Sequence, residues 1–239
     1  MKTDRPQLGE YPGKELEVMS FAKNYHRWII EEVTPFLGKT AVEVGAGMGD
    51  LSDLFLKAGV NHLYAFEPSV KLYACIQDRF KNETRVSVKN DFFNAEKSPP
   101  GINSVSYINV LEHIEDDQFE LVNVYTSLGR GGFVIIFVPA LPWLFSEADR
   151  EMGHFRRYTK SGLIRVVEKA GFHVRKVRYF DCAGVLPWYL NFVILRNSFG
   201  ARSVSLYDRL VVPPMKMLEG FVAPPFGKNV LLVAQKPRS

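Results

Sequence analysis

Gly45, Gly47 and Gly49 take every second position in the stretch Thr40–Leu51, directly behind Ala41, Val42 and Val44. A short run of apolar and β-branched residues suits a buried parallel strand. Glycine adopts positive φ freely and lets a ligand approach the main chain where a Cβ would stand. A helix expected from Gly49 to Ala58 would turn its free N–H groups into the same crevice. The stretch therefore predicts a nucleotide-type cofactor site at the carboxyl edge of a parallel sheet. A tight strand-to-helix turn with no ligand is the other reading.

Further residues converge on that edge. Glu67 ends the second predicted strand, His62–Pro68, where a carboxylate can accept hydrogen bonds from both ribose hydroxyls; a helix cap is the alternative role. Asp91 and Phe92 follow the third strand, Arg85–Lys89, where they could meet an adenine amino group and ring face. Asn109 ends the fourth strand, which begins near Ser104. The dinucleotide fingerprint would require Gly or Ala at position 50. Asp50 stands there, and a carboxylate would repel a pyrophosphate.

The pattern Glu43-x-Gly45-x-Gly47-x-Gly49, then Glu67, Asp91 and Leu111-Glu112-His113 in that order, resembles class I S-adenosylmethionine (SAM)-dependent methyltransferases. The small-molecule and glycan enzymes of methyltransferase types 11 and 12 are the nearest kind, and the likeness spans about Tyr25 to Phe180. The resemblance implies an α/β, doubly wound, Rossmann-like sheet of seven strands. Its order would be 3-2-1-4-5-7-6, with the last strand antiparallel. It also implies SAM as cofactor, held by Tyr25, Glu43, Gly45, Gly47, Gly49, Glu67, Pro68, Asp91, Phe92 and Asn109. SAM carries no phosphate, so Asp50 is acceptable beside it. Two other classes share much of this pattern: an NAD-dependent oxidoreductase and a SAM-binding protein without catalysis. A nucleic-acid partner is not expected, because Asn109-Val110-Leu111-Glu112 stands where base N-methylation would need Asn/Asp-Pro-Pro-aromatic.

The implied reaction is transfer of the methyl group to a small-molecule, glycan or lipid-linked acceptor by in-line displacement. The protein must orient the acceptor, exclude water and, for an alcohol or phenol, remove a proton. Histidine suits that last task near neutral pH, which singles out His113 and His154 as catalytic candidates. Structural hydrogen bonding is their other reading. The polar segment after the fifth strand carries Trp143, Arg156, Arg157 and Tyr158, and long loops after strands are commonly functional. The two arginines would hold an anionic acceptor, or else bridge acidic groups of neighbouring loops. No His/Cys spacing suggests a metal.

The elements that must position these groups follow from the rest of the 239 residues, which make one domain of ordinary size. Its 46% apolar and 23% charged content is that of a globular protein. Cys75 and Cys182 form no metal or redox spacing, and the polar opening lacks a signal-peptide pattern, so a cytoplasmic setting is expected. Residues 1–149 hold 14 Lys and Arg against 21 Asp and Glu (−7), whereas residues 150–239 hold 16 against 5 (+11). A basic half can favour an anionic substrate or membrane surface. Residues 1–38 predict a loose arm and a helix from Glu15 to Phe36, whose apolar positions recur at helical spacing and which would cover the crevice. Helices are expected at 69–80, 116–128 and 160–170, and further strands at 132–138, 172–180 and 229–236. Between the last two strands lies an insert, 181–228, with Trp188, Tyr189, Phe192 and Ile194 followed by Arg196, Arg202 and Arg209. A helical lid over the acceptor pocket is the favoured reading. Peripheral docking on an anionic membrane is the second. The oligomeric state is not legible.

Overall fold

The structure is a computed structural model that describes residues 20–99, 101–195 and 200–238. The predicted arm, the first turns of the predicted N-terminal helix and Arg196 lie outside the described residues.

Helix α1 (Lys23–Val33) buries Tyr25, Trp28, Ile29, Ile30 and Val33, one stripe at helical spacing. It leads through a 3₁₀ turn into strand β1 (Thr40–Val44). Two helix–strand pairs follow: α2 (Asp50–Lys57) and β2 (His62–Phe66), then α3 (Val70–Arg79) and β3 (Val86–Lys89). Strand β4 (Ile102–Ile108) leads to α4 (Asp117–Ser127), and β5 (Leu128–Pro139) to α5 (Glu147–Glu151) and α6 (Lys160–Lys169). Strand β6 (His173–Phe180) then enters the insert. There α7 (Val185–Trp188) runs on as a π-helix through Tyr189–Ile194, and α8 (Ala201–Leu210) and α9 (Val212–Phe221) precede β7 (Asn229–Gln235).

The seven strands form one sheet in the order β3-β2-β1-β4-β5-β7-β6. Strands β1 to β5 are parallel, and β7 is antiparallel to both β5 and β6. The predicted order and direction hold. Strand β5 starts earlier than its expected Gly132, because Leu128 already pairs with Ile102 before a register irregularity. One face of the sheet packs on α4 and α6 through Leu121, Val124, Leu163 and Val167. The other packs on α1, α2, α3 and the insert through Trp28, Phe55, Ile76 and Val212.

The insert is tied to α1 at a specific point. Ala22, at the N-cap position of α1, makes no side-chain cap bond. Instead Asp208 of α8 accepts from the backbone N–H groups of Asn24 (3.0 Å) and Tyr25 (2.8 Å). A carboxylate at a helix N-terminus satisfies orphan donors and meets the positive end of the helix dipole.

Among the described residues, three other than glycine have positive φ: Asn109 (54°), Leu141 (60°) and Asp181 (60°). They lie just beyond the carboxyl ends of β4, β5 and β6. Backbone strain of this kind tends to sit at functional edges, and here it marks one edge of the sheet.

Candidate active site

The glycine turn is built from two constraints. Gly45, Gly47 and Gly49 have φ of 70°, 55° and 82°, a region that side-chain-bearing residues rarely adopt. A Cβ on Gly45 would also meet Val110 Cγ2 at 2.6 Å, and one on Gly49 would meet Phe80 Cε2 at 2.6 Å.

The turn's donors are already engaged. Phe66 O accepts from Gly45 N (2.8 Å) and Ala46 N (3.0 Å). Glu67 Oε2 accepts from Gly47 N (2.8 Å), and its Oε1 from Ser69 N (2.8 Å). A pyrophosphate needs such N–H groups free; a ligand that only packs against bare backbone does not. Asp50 is neutralised by Arg79, whose guanidinium bonds Asp50 Oδ1, Asp53 Oδ2 and Met48 O. The turn therefore fits SAM better than a dinucleotide.

A cavity of about 340 Å³ opens beside this turn. Gly45, Ala46, Gly47 and Met48 line one end, and Glu112, His113, His154 and Arg157 another. The insert contributes Trp188, Phe192, Val204, Tyr207 and Val212 to its wall. Tyr25 and Asn109 line it too. Tyr25 is buried, donates its hydroxyl to Asn229 Oδ1 (3.0 Å), and packs edge-on against Trp28, Phe137 and Phe180.

Other expected cofactor residues stand behind or beside the wall. Glu43 is buried under the turn, with Ser52 Oγ 2.5 Å from its Oε2. Burial raises its pKa to about 8, against the Ser52 bond. Gly49 and Glu67 lie outside the lining as well; Glu67 reaches the cavity through the Gly47 N–H it holds. Burial raises its pKa, and the two N–H bonds oppose that. Asn90 Nδ2 ties the strand end down by donating to Glu67 O and Pro68 O. Asp91 Oδ1 accepts from Phe92 N, and neither residue lines the cavity. Phe92 is half-buried, whereas its neighbour Phe93 is the core aromatic, edge-on to Phe66.

The loop after β5 is more ordered than a plain loop. Ser146 and Asp149 form a capping box at the start of α5. Asp149 is fully buried and gathers Ser146 N, His154 Nδ1 (2.9 Å) and Arg157 Nε (2.8 Å). Burial alone would raise its pKa, but the bonds to His154 and Arg157 outweigh that and hold it below the usual range. Arg157 also donates to Ala140 O and stacks on the Trp188 ring at 4.4 Å. His113 lies edge-on to His154 with ring centroids 4.6 Å apart. Burial and the neighbouring imidazole lower the pKa of His113 to about 4.

The structure brings His113, His154 and Arg157 to one cavity. The sequence did not separate them from Arg156, Tyr158 and Trp143, none of which lines the cavity. Arg156 pairs with Asp117 and donates to Glu115 O, the bridging alternative. Tyr158 is buried, donates to Asp117 (2.8 Å) and bridges Ala140. Trp143 is exposed against Tyr189. Sequence reading missed Asp149, although Ser146-x-x-Asp149 is a capping-box signal. It missed Glu112 as a site residue as well. Burial raises its pKa to about 8, opposed in part by Arg157.

A family model described as a methyltransferase domain matches residues 21–177. No curated protein sequence matches the chain. Among solved structures, Haemonchus contortus phosphoethanolamine N-methyltransferase 2, in complex with S-adenosyl-L-methionine, is 16% identical with a TM-score of 0.64, over 98% of this chain and 61% of that one. A SAM-dependent methyltransferase from Archaeoglobus fulgidus is 14% identical with a TM-score of 0.61, over 93% and 99%. The [4+2]-cyclase SpnF has the same TM-score at 14% identity, over 91% and 82%, so the fold by itself leaves the acceptor chemistry open. With the family model spanning most of the sheet and the glycine turn suited to SAM, the chain belongs to the methyltransferase-domain family and is a class I SAM-dependent methyltransferase.

Proposed function

We propose that this enzyme methylates a hydroxyl of a small-molecule, glycan or lipid-linked acceptor. The observation that carries the reading is the single cavity joining the glycine turn to His113, His154 and Arg157. Gly45 and Gly47 would let SAM approach the backbone, Tyr25 and Asn109 would flank it, and Glu67 would offer its remaining lone pairs to the ribose. SAM supplies an electrophilic methyl on a sulfonium. The chain's own residues orient the acceptor, exclude water and hold its proton. Trp188, Phe192 and Val204 on the insert would exclude water, in keeping with a lid. His113 and His154 would receive the hydroxyl proton, and Arg157 would steer an anionic part of the acceptor.

Calorimetry should show SAM and S-adenosylhomocysteine binding and no NAD binding; the reverse pattern would sink the reading. Labelled SAM against phenolic, glycan and lipid-linked alcohols should then reveal turnover that His154→Ala lowers at nearly unchanged SAM affinity. SAM binding without turnover on any acceptor would favour the non-catalytic alternative.

A second reading has its own support. The outer face of the insert exposes Leu206, Leu210, Met217, Leu218, Phe221 and Val222 beside exposed Arg202 and Arg209. An apolar face rimmed by cations suits an anionic bilayer. Among the described residues no helix is long and apolar enough to cross a membrane, so such contact would be interfacial. Flotation with anionic vesicles, lost on Leu206→Ser with Phe221→Ser, would favour a lipid-linked acceptor; a protein that stays at the bottom of the gradient would favour a lid alone.

A further inference from the structure

Glu112 and His113 follow β4, and His154 follows α5, yet the fold brings all three to one wall of the cavity. Each offers one ligand atom, and these atoms lie within 4.8 Å of one another. Ligands at bonds of about 2.1 Å around a tetrahedral ion sit on the order of 3.4 Å apart, so a shift of about 1 Å would close the three on an ion.

Glu112 is wholly buried, and neither carboxylate oxygen has a hydrogen-bond partner. A buried carboxylate left this way is costly unless something pairs with it. Arg157 is nearby, but it donates to Asp149 and to Ala140 O. Arg157 is thus committed to Asp149, and the Glu112 carboxyl faces the cavity wall without it.

The imidazoles are held from behind. His154 uses Nδ1 on the Asp149 carboxylate, and His113 is bonded by the backbone of Met152 and Gly153. A carboxylate or carbonyl on the far ring nitrogen is the arrangement that fixes tautomer and direction in metal-binding histidines. In His154 this makes Nε2 the ligand atom.

We propose that Glu112, His113 and His154 form a site for one divalent first-row transition-metal ion of the Zn²⁺ class, at the acceptor end of the cavity. Two imidazoles and a carboxylate are a known donor set for such ions and leave coordination positions open. Only the role of the ion rests on the methyl-transfer reading. There it would bind the acceptor hydroxyl, lower its pKa and let the proton pass to water, with the imidazoles acting as ligands in place of proton acceptors.

The test is Co²⁺ titration of the chelator-stripped full chain, followed by visible absorption, with Zn²⁺ competition. One equivalent should bind with a ligand-field band that Zn²⁺ abolishes. Glu112→Gln and His154→Ala should each weaken Co²⁺ at least tenfold, with folding checked by thermal melting, whereas His62→Ala, at an exposed residue, should not. Glu112→Gln keeps the side-chain volume and removes the ionisable ligand, so it keeps the test readable if His154→Ala fails to fold. No Co²⁺ uptake by the wild type, or uptake unchanged in both variants, overturns the site. SAM calorimetry on the same metal-free sample separates the two readings. SAM binding without Co²⁺ binding overturns the metal site alone, and Co²⁺ binding without SAM binding supports the metal site and overturns the proposed cofactor.

Discussion

The two ends of the cavity are held together by different means. At the glycine-turn end every bond stays within two consecutive βα units. Glu67 reaches Gly47 and Ser69, Ser52 reaches Glu43, and Arg79 reaches Asp50 and Asp53. At the histidine end Asp149 holds its near neighbours His154 and Arg157, and the stacking of Arg157 on Trp188 ties them to the insert. Around the rest of the wall Asn229 holds Tyr25 and Asp208 caps α1, both from far along the chain. The first end is a local βα device that any chain with these residues can form. The second exists only when the loop after β5, the insert and α1 have docked together. A site divided in this way keeps its cofactor end constant and leaves its acceptor end open to variation.

The largest effect that would break this contrast is Asp149→Ala. It leaves the Arg157 guanidinium, 1% exposed, without its buried carboxylate, which should destabilise by about 3–5 kcal/mol. Chemical denaturation should show the loss. A change under about 1 kcal/mol would mean that the histidine end is not held through Asp149.

Next comes Glu67→Ala, which should weaken SAM by roughly 1–3 kcal/mol, the scale of a hydrogen bond to a charged group. Calorimetry reads it directly. Unchanged affinity would remove Glu67 from the cofactor end and make it a structural brace alone.

The effect that is smallest per step of the measurement is a pH slope. Glu43, with its folded pKa raised to about 8, binds a proton that the unfolded chain has lost between about pH 4.5 and 8. Stability from this group is therefore full at low pH and declines as pH rises through that window, by at most about 1.4 kcal/mol per pH unit. Denaturation midpoints across the window should show a shallower decline in Glu43→Gln. An equal slope in the variant would assign the dependence to other groups.

The same division explains what could be read from the sequence. Strand order, the turn and its acidic neighbours announce themselves through residues close in sequence, because the βα turn is a local structure with fixed spacing. Arg156, Arg157 and Tyr158 are adjacent and alike in chemistry, yet only Arg157 lines the cavity. Their directions depend on the Ala140–Tyr158 bridge and on Asp117, long-range partners that no local pattern encodes. The gathering of Glu112 with His154 was hidden for the same reason. That the insert carries apolar aromatic residues was legible, and Trp188 and Phe192 line the cavity. Its anchorage through Asp208 was not, since it answers a cap missing from α1.

Strand β7 is fully buried and lies between β5 and β6, although it is the last of the seven in the chain. During synthesis β6 leaves the ribosome with no neighbour to pair with, and it must wait for the whole insert to follow. The nascent protein can assemble the glycine-turn strands early and complete the sheet only when β7 slots into the gap. Until then the apolar edge of β5 stands open, a surface that can pair wrongly with another chain. The insert's length thus sets how long that edge stays open during synthesis.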